Sequence, residues 1–264
     1  MRVITAIGFA AETGAQSYIA TPLTKAITKP TLEAAVKICG LSNTKETYFH
    51  HIHKDPKTMK DFNTFMSGNR STRQHWIDWF PVESEIISGS HEGKDEVLLV
   101  DVGGGKGHDL ETFLEKFPRF KGRLVLQDLP GIIDNLKGLN EAIQAIGHDF
   151  FNPQPVKGAR AYYIHFVPHD WPDEKCRDIL RNLMTAMVPG YSKILLNESV
   201  LPDRGCPPHF AASDINMMSI MAGRVRTEGQ WRELLQSIDL QIIRIWPSTD
   251  SGDQEAVIEA MLKS

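Results

Sequence analysis

From residue 96 onward, short apolar runs alternate with amphipathic stretches. EVLLVDV (96–102) is a continuous apolar run ending in an acid, the pattern of a strand buried on both faces. RLVLQDL (123–129), AYYIHFV (161–167) and KILLNESV (193–200) read as further strands. Between them, HDLETFLEKF (108–117) carries Leu110, Phe113 and Leu114 at helical spacing, and DEKCRDILRNLMTAM (173–187) runs helical until Pro189 and Gly190 stop it. TEGQWRELLQSI (227–238) opens with Thr227 and Gln230 at capping-box spacing. LQIIRIW (240–246) and EAVIEAML (255–262) are two closing strands joined by the turn-rich PSTDSGDQ. This alternation predicts an α/β fold built on a doubly wound parallel sheet, with the final pair adding an antiparallel edge.

Residues 1 to about 90 have a different pattern, mainly helical, which predicts a division into an N-terminal region of 1–90 and a second domain of 91–264. A turn at Glu12–Gln16 followed by SYIATPLTKAI predicts a short hairpin. Helices are expected over Pro56–Met66 and in the tract around Trp76–Ile87. No internal repeat interrupts this order.

Composition narrows the classes of function. The 264 residues are 41% hydrophobic and 23% charged, ordinary globular values. A net charge of −4, with no basic stripe beyond Arg70 and Arg73, argues against nucleic acid as a partner. Cys39, Cys176 and Cys206 lie far apart, which suits a reducing compartment and neither a zinc site nor a disulfide framework. His50, His51 and His53 form an HHxH cluster without a carboxylate or cysteine at a companion spacing, so no metal is expected. No apolar stretch is long enough to span a bilayer. The N-terminal MRVITAIGFAAETGA mimics a short signal peptide, but Thr5 and Gly8 interrupt its apolar run, and a cytoplasmic protein is expected.

DVGGGKGHD (101–109) sits between a predicted strand and a predicted helix. Gly103, Gly105 and Gly107 let the chain turn tightly and leave room for a ligand against bare backbone. The next strand ends in Asp128, 21 residues after Gly107, where a carboxylate can accept both hydroxyls of a ribose. The spacing is GxGxG and not the GxGxxG of dinucleotide binders. With an acid at its start, it points to an S-adenosylmethionine site, whose ligand carries no pyrophosphate, and places a nicotinamide cofactor second.

LLVDVGGGKGHDLE, RLVLQDLPGII, GHDFF, HDWPDEKC, KILLNESVLPD and RTEGQWRELL, in this order, resemble the plant and fungal small-molecule O-methyltransferases, particularly the fungal secondary-metabolite branch. The resemblance implies a Rossmann-like seven-stranded sheet preceded by a partial helical, winged-helix dimerisation region. It also implies that Gly103, Gly104 and Gly105 line the methionine part of the cofactor, that Asp128 holds the ribose, and that Asp149 and Phe150 flank the adenine. His165 falls where relatives often carry a lysine near the cofactor. His169 matches the family's catalytic base and Glu198 its carboxylate partner. Met66, Met217 and Met221 match the apolar acceptor pocket, and methionines at such spacing equally suit a packed core. Trp171 either walls the site or anchors the following helix.

A histidine suits this chemistry only with help. A phenol with a pKa near 10 holds its proton about 3.5 units more tightly than an ordinary imidazole, a deficit of about 5 kcal/mol. A carboxylate that stabilises the imidazolium closes part of that gap, which is the expected role of Glu198. Two departures from the family stand out. The chain opens in what resembles the last helix and wing of the dimerisation region, and the tract around KICGLSNTKETYF is shortened, so a truncated N-terminus and a weakened homodimer are expected. In GRVRT, Val225 stands where the family has a second glutamate orienting the base, which leaves Glu198 as the expected sole partner. The expected activity is methyl transfer to a hydroxyl of a small aromatic metabolite. The alternatives are a cofactor-binding relative without methyl transfer, of pseudoenzyme or pericyclase type, and a nicotinamide oxidoreductase.

Overall fold

The computed structural model describes residues 10–14, 17–21, 55, 57–58, 61, 64, 74–91, 93, 95–204, 206, 210, 214, 217, 223–249 and 254–263. The chain divides into two compact units, Met1–Arg73 and Gln74–Ser264.

In the first unit, β1 (Ala10–Gly14) and β2 (Ser17–Ala20) form the expected antiparallel hairpin, with Gly14 opposite Ser17. Residues 57, 58, 61 and 64 are helical, within the helix expected over 56–66. Asp55 caps its start by accepting from the Lys57 backbone N–H and the Thr58 hydroxyl. The HHxH histidines, Met66 and Met221 lie outside the described residues.

The second unit is built on one mixed sheet. Its elements are β3 (Val97–Val102), α1 (His108–Lys116), β4 (Arg123–Asp128), α2 (Pro130–Ile133), β5 (Ile143–Gly147), β6 (Ala161–His165), α3 (Asp173–Met184), β7 (Lys193–Leu201), β8 (Arg226–Thr227), α4 (Glu228–Gln236), β9 (Leu240–Pro247) and β10 (Glu255–Leu262). The strand order is β5-β4-β3-β6-β7-β10-β9, and the two-residue β8 pairs with β7 as an eighth strand. The first five strands are mutually parallel, and β10 runs antiparallel to both β7 and β9.

Two details differ from the expectation. The last strand, β10, lies between β7 and β9, so β9 forms the edge. Burial explains the order, because β10 is buried at its first six residues while β9 is half-exposed. At the other edge stands β5, a strand the pattern did not predict. Only Ile143 of it is buried, so IQAIG carries little apolar signal.

Successive residues of the central strands enter opposite cores. Val100, Tyr162, Ile164, Ile194 and Leu196 pack with Leu180 and Leu183 of α3 and Trp231 and Leu234 of α4. Leu99, Leu124, Leu126, Tyr163 and Leu195 pack with Leu110 and Phe113 of α1 and with Trp76, Ile77, Phe80 and Ile86. That second face needs the 74–90 tract, which therefore belongs to the sheet's unit and not to the N-terminal region to which its pattern assigned it. Trp76 stacks on Tyr163 with ring centroids 4.5 Å apart. Nor is the tract one helix: a 3-10 turn at Trp76–Asp78 and a π turn at Glu83–Ile87 flank Pro81, which disfavours helical backbone at Phe80 before it. The capping box at Thr227 and Gln230 is fully formed.

A buried cation secures the tract to the sheet. Lys193 Nζ lies 2.7 Å from Glu85 and 2.6 Å from Glu259, itself almost fully buried. Lys193→Met should leave the Glu259 carboxylate buried without its cation and lower stability by about 3–5 kcal/mol. Urea unfolding of the two proteins checks this, and an unchanged midpoint would show that the pair does not hold the tract.

Candidate active site

The site gathers at the C-terminal ends of the parallel strands, where such sheets bind ligands. After β3, the Gly103 and Gly104 N–H groups donate to the Gln127 carbonyl at 2.8 and 3.1 Å, which draws the loop across the end of β4. Gly103, Gly105 and Gly107 have φ of 75°, 60° and 81°, conformations that a side chain resists. A Cβ at Gly104 would strike the Asp101 carboxylate and Leu126, whereas one at Gly105 would meet nothing within 4 Å. The loop is thus closed beneath and open above.

Asp128 fixes the rim of this opening. Its Oδ2 accepts from Gly105 N–H at 2.8 Å and its Oδ1 from Leu129 N–H at 2.7 Å. The His148 N–H donates to the Asp128 carbonyl at 2.7 Å, which brings the segment after β5 alongside. Asp149 accepts from Phe151 N–H, and Phe150 lies 3.8 Å from where a Cβ of Gly103 would be. Trp171 meets Phe151 edge-on at 4.8 Å and Phe150 at 6.2 Å. Bare backbone, an acid able to take two hydroxyls and an aromatic face stand together, and these residues fit an adenosyl ligand such as S-adenosylmethionine.

His165 ends β6 with Nδ1 at 2.8 Å from Asp109 and Nε2 at 3.5 Å from Glu255. His75 Nε2 faces the other Asp109 oxygen at 3.0 Å. The structure therefore places His165 in a buried polar chain at the start of α1, the helix that the glycine loop opens.

Beyond His165 the chain turns sharply. Phe166 has φ of 53°, a strained value for a phenylalanine, and its N–H donates to the Asn197 carbonyl at 3.0 Å. Pro168–Asp170 form a 3-10 turn that presents His169. His169 Nδ1 lies 2.8 Å from Glu198 Oε2, and its backbone N–H donates to Oε1 at 3.1 Å. Glu198, on β7, is 1% exposed and the His169 side chain 18%. An ionised carboxylate only accepts, so the neutral ring carries its proton on Nδ1 and its lone pair on Nε2, the nitrogen that faces Asp170. Burial pushes the imidazole down and is the largest single influence. The Glu198 and Asp170 carboxylates together outweigh it and raise the pKa to about 9.

Asp170 is a residue the sequence reading missed. Its Oδ1 lies 3.3 Å from His169 Nε2, on the side opposite Glu198. Burial raises its own pKa to about 7, against the attraction of the imidazolium. The imidazole is therefore faced by two carboxylates, and the expectation that Glu198 acts alone is corrected. Only the fold of the turn brings Asp170 onto Nε2, so adjacency in HDW gave no signal. Val225 is buried with Leu201 and Phe210, and Met217 packs against the same apolar cluster. The Trp171 ring meets Phe150 and Phe151, and its carbonyl accepts from Cys176 Sγ and from Arg226 at the start of α3.

Arg226, in the short β8, is the second residue missed. Its guanidinium is almost fully buried, a place no composition argument assigns to arginine.

The family described as the O-methyltransferase domain matches residues 35–239. Over 98% of this chain and 75% of its own length, O-methyltransferase asqD of Emericella nidulans is 41% identical. Against several other curated fungal relatives the chain spans about half their length, 53–54% for two of them. Among solved structures, OxaC in complex with sinefungin and meleagrin is 27% identical with a TM-score of 0.79, over the whole of this chain and 74% of that one. LepI in complex with SAM is 27% identical with a TM-score of 0.78, over 99% and 75%. No helix among the described residues is long and apolar enough to cross a membrane. The chain belongs to the S-adenosylmethionine-dependent O-methyltransferases, in their fungal secondary-metabolite branch.

Proposed function

We propose that this protein methylates a phenolic hydroxyl of a small aromatic metabolite, with His169 as general base and Glu198 as its orienting partner. The observation that carries this reading is the contact of His169 with Glu198 of β7, 2.8 Å apart, His169 standing on a turn whose Val167 lies 3.0 Å from where a Cβ of Gly103 would be. Base and glycine loop are thereby neighbours.

Bound at the loop, S-adenosylmethionine supplies a sulfonium methyl that an oxygen nucleophile can take in line. The chain's residues bind, align and remove a proton. Gly103, Gly104 and Gly105 leave room for the methionine portion. Asp128, already oriented by two backbone N–H groups, accepts from the ribose hydroxyls. Asp149 and Phe150 flank the adenine, and His165 supports the floor through Asp109 at the start of α1. His169 Nε2 takes the phenol's proton as the oxygen gains its new bond. With its pKa raised to about 9, the imidazole closes most of the gap to a phenol. Glu198 and Asp170 stabilise the imidazolium that results. Met217 and Trp171 contribute apolar walls for an aromatic acceptor. Self-association through the N-terminal region and a cytoplasmic setting complete the reading. A cofactor-binding protein that rearranges its substrate without methylating it is the competing outcome.

Three measurements test the proposal. Asp128→Ala should weaken S-adenosylmethionine binding by more than about tenfold, because charge-assisted hydrogen bonds to the ligand are lost. Unchanged affinity by calorimetry would remove Asp128 from the site. His169→Ala should leave that affinity nearly intact, while methylation of a panel of phenols with labelled cofactor drops by about two to four orders of magnitude. Full activity in the variant would end the general-base mechanism. A wild type that binds the cofactor and labels no phenol would favour the rearrangement.

The neutral ring is the active form, so protonation inactivates it. The ratio kcat/KM should therefore climb with pH and level off above the His169 pKa of about 9. Asp170, near 7, ionises along the way and strengthens the attraction for the imidazolium. A profile already flat by pH 7 would contradict the raised basicity.

A further inference from the structure

The 224–226 segment takes up the backbone acceptors around His169. Arg224 N–H donates to the His169 carbonyl at 2.9 Å. Arg226 Nη1 donates to the Pro168 carbonyl at 3.0 Å and Nη2 to the Trp171 carbonyl at 2.9 Å. Three of the four carbonyls from 168 to 171 are thus fixed from one short stretch of chain. The guanidinium also donates Nε and Nη2 to Asp173 Oδ1 at 3.0 and 2.8 Å, meets Cys176 Sγ at 3.3 Å and lies 5.2 Å over the Trp231 ring. It is 1% exposed, so water does not substitute for any of these partners.

The backbone of the same residue reaches the other half of the pair. Arg226 pairs with Val200 and Thr227 with Leu201, in register with β7 two residues beyond Glu198. Close approach is required here as well: a Cβ at Gly223 would collide with the His169 carbonyl oxygen and with the Asp170 backbone. One residue therefore joins, by main chain and by side chain, the strand that carries Glu198 and the turn that carries His169.

We propose that Arg226 is a positioning residue for the reaction, holding the His169 turn in register with Glu198 by bridging the Pro168 and Trp171 carbonyls from β8. The proposal rests on the reading of His169 and Glu198 as the base and its partner. A planar fork suits the task, because two carbonyls and a carboxylate are reached from separate nitrogens in one fixed plane. A lysine would bring a single ammonium to the same space. Loss of the fork frees the turn, lengthens the His169–Glu198 contact and weakens the influence that keeps the imidazole basic.

The test is a pH titration of the His169 ring by NMR on histidine-labelled protein, the signal being assigned with His169→Ala. It needs no acceptor substrate. The wild-type midpoint should lie at about 9. In Arg226→Met it should fall by at least one unit, about a tenfold change in the proton equilibrium, while S-adenosylmethionine affinity by calorimetry stays within about threefold, under the tenfold step of 1.4 kcal/mol. A folded, cofactor-binding Arg226→Met with an unmoved midpoint overturns the proposal. If that variant does not fold, Arg226→Lys decides: a smaller downward shift supports the role, and no shift overturns it. A wild-type midpoint at the ordinary histidine value would instead sink the His169–Glu198 reading itself, whatever Arg226 does.

Discussion

Burial of the parallel strands on both faces is the constraint on which the rest of this structure depends. Val100, Val102, Leu124, Leu126, Tyr162, Ile164 and Leu195 are all buried, and α1, α3, α4 and the 74–90 tract cover the two faces. Polar groups inside such a sheet are held in pairs, as Glu259 is with Lys193, and those that can meet a ligand gather where strands end. Asp101, Asp128, His165 and Glu198 all stand at or near those ends, and the glycine loop crosses them. The crevice is therefore a consequence of how the apolar surface is hidden.

Within that crevice two opposed electrostatic effects set the chemistry. Taking His169 out of water favours its neutral form. Glu198, nearly inaccessible to solvent and 2.8 Å away, reverses the sign, with Asp170 on the far nitrogen. Burial acts on Asp170 in the opposite sense and raises it toward neutrality. The same desolvation thus pushes a base down and an acid up, and at His169 the two carboxylates outweigh it. Such a balance requires fixed distances. The strained Phe166 and the backbone clamp from residues 224–226 supply them on either side of the turn.

Much of this was legible in the order of residues. The continuous apolar runs determined the central strands, because a strand hidden on both faces needs no alternation. The glycine spacing and the following acid determined the loop and its ligand class, since local backbone geometry and reach depend on neighbours in sequence. Motif order determined the family, and His169 and Glu198 became candidates through it. Less was legible where burial is partial: β5 carries one buried residue, and the turns at Trp76–Asp78 and Glu83–Ile87 lack a regular period.

Tertiary structure alone decided the remainder. Nothing in EAVIEAML states that it inserts between β7 and β9. That follows from competition with LQIIRIWP for the more buried lane of the sheet. Nothing in HDW states that Asp170 folds back to the free nitrogen of His169, because the turn that does so is held from a segment more than fifty residues away. Arg226 shows the same limit most clearly. In sequence it is one charged residue before a helix cap, and in the fold it is buried against carbonyls of another loop. Sequence pattern encodes which surfaces must leave water. Which distant groups then meet, and with what charge, is set by packing in three dimensions.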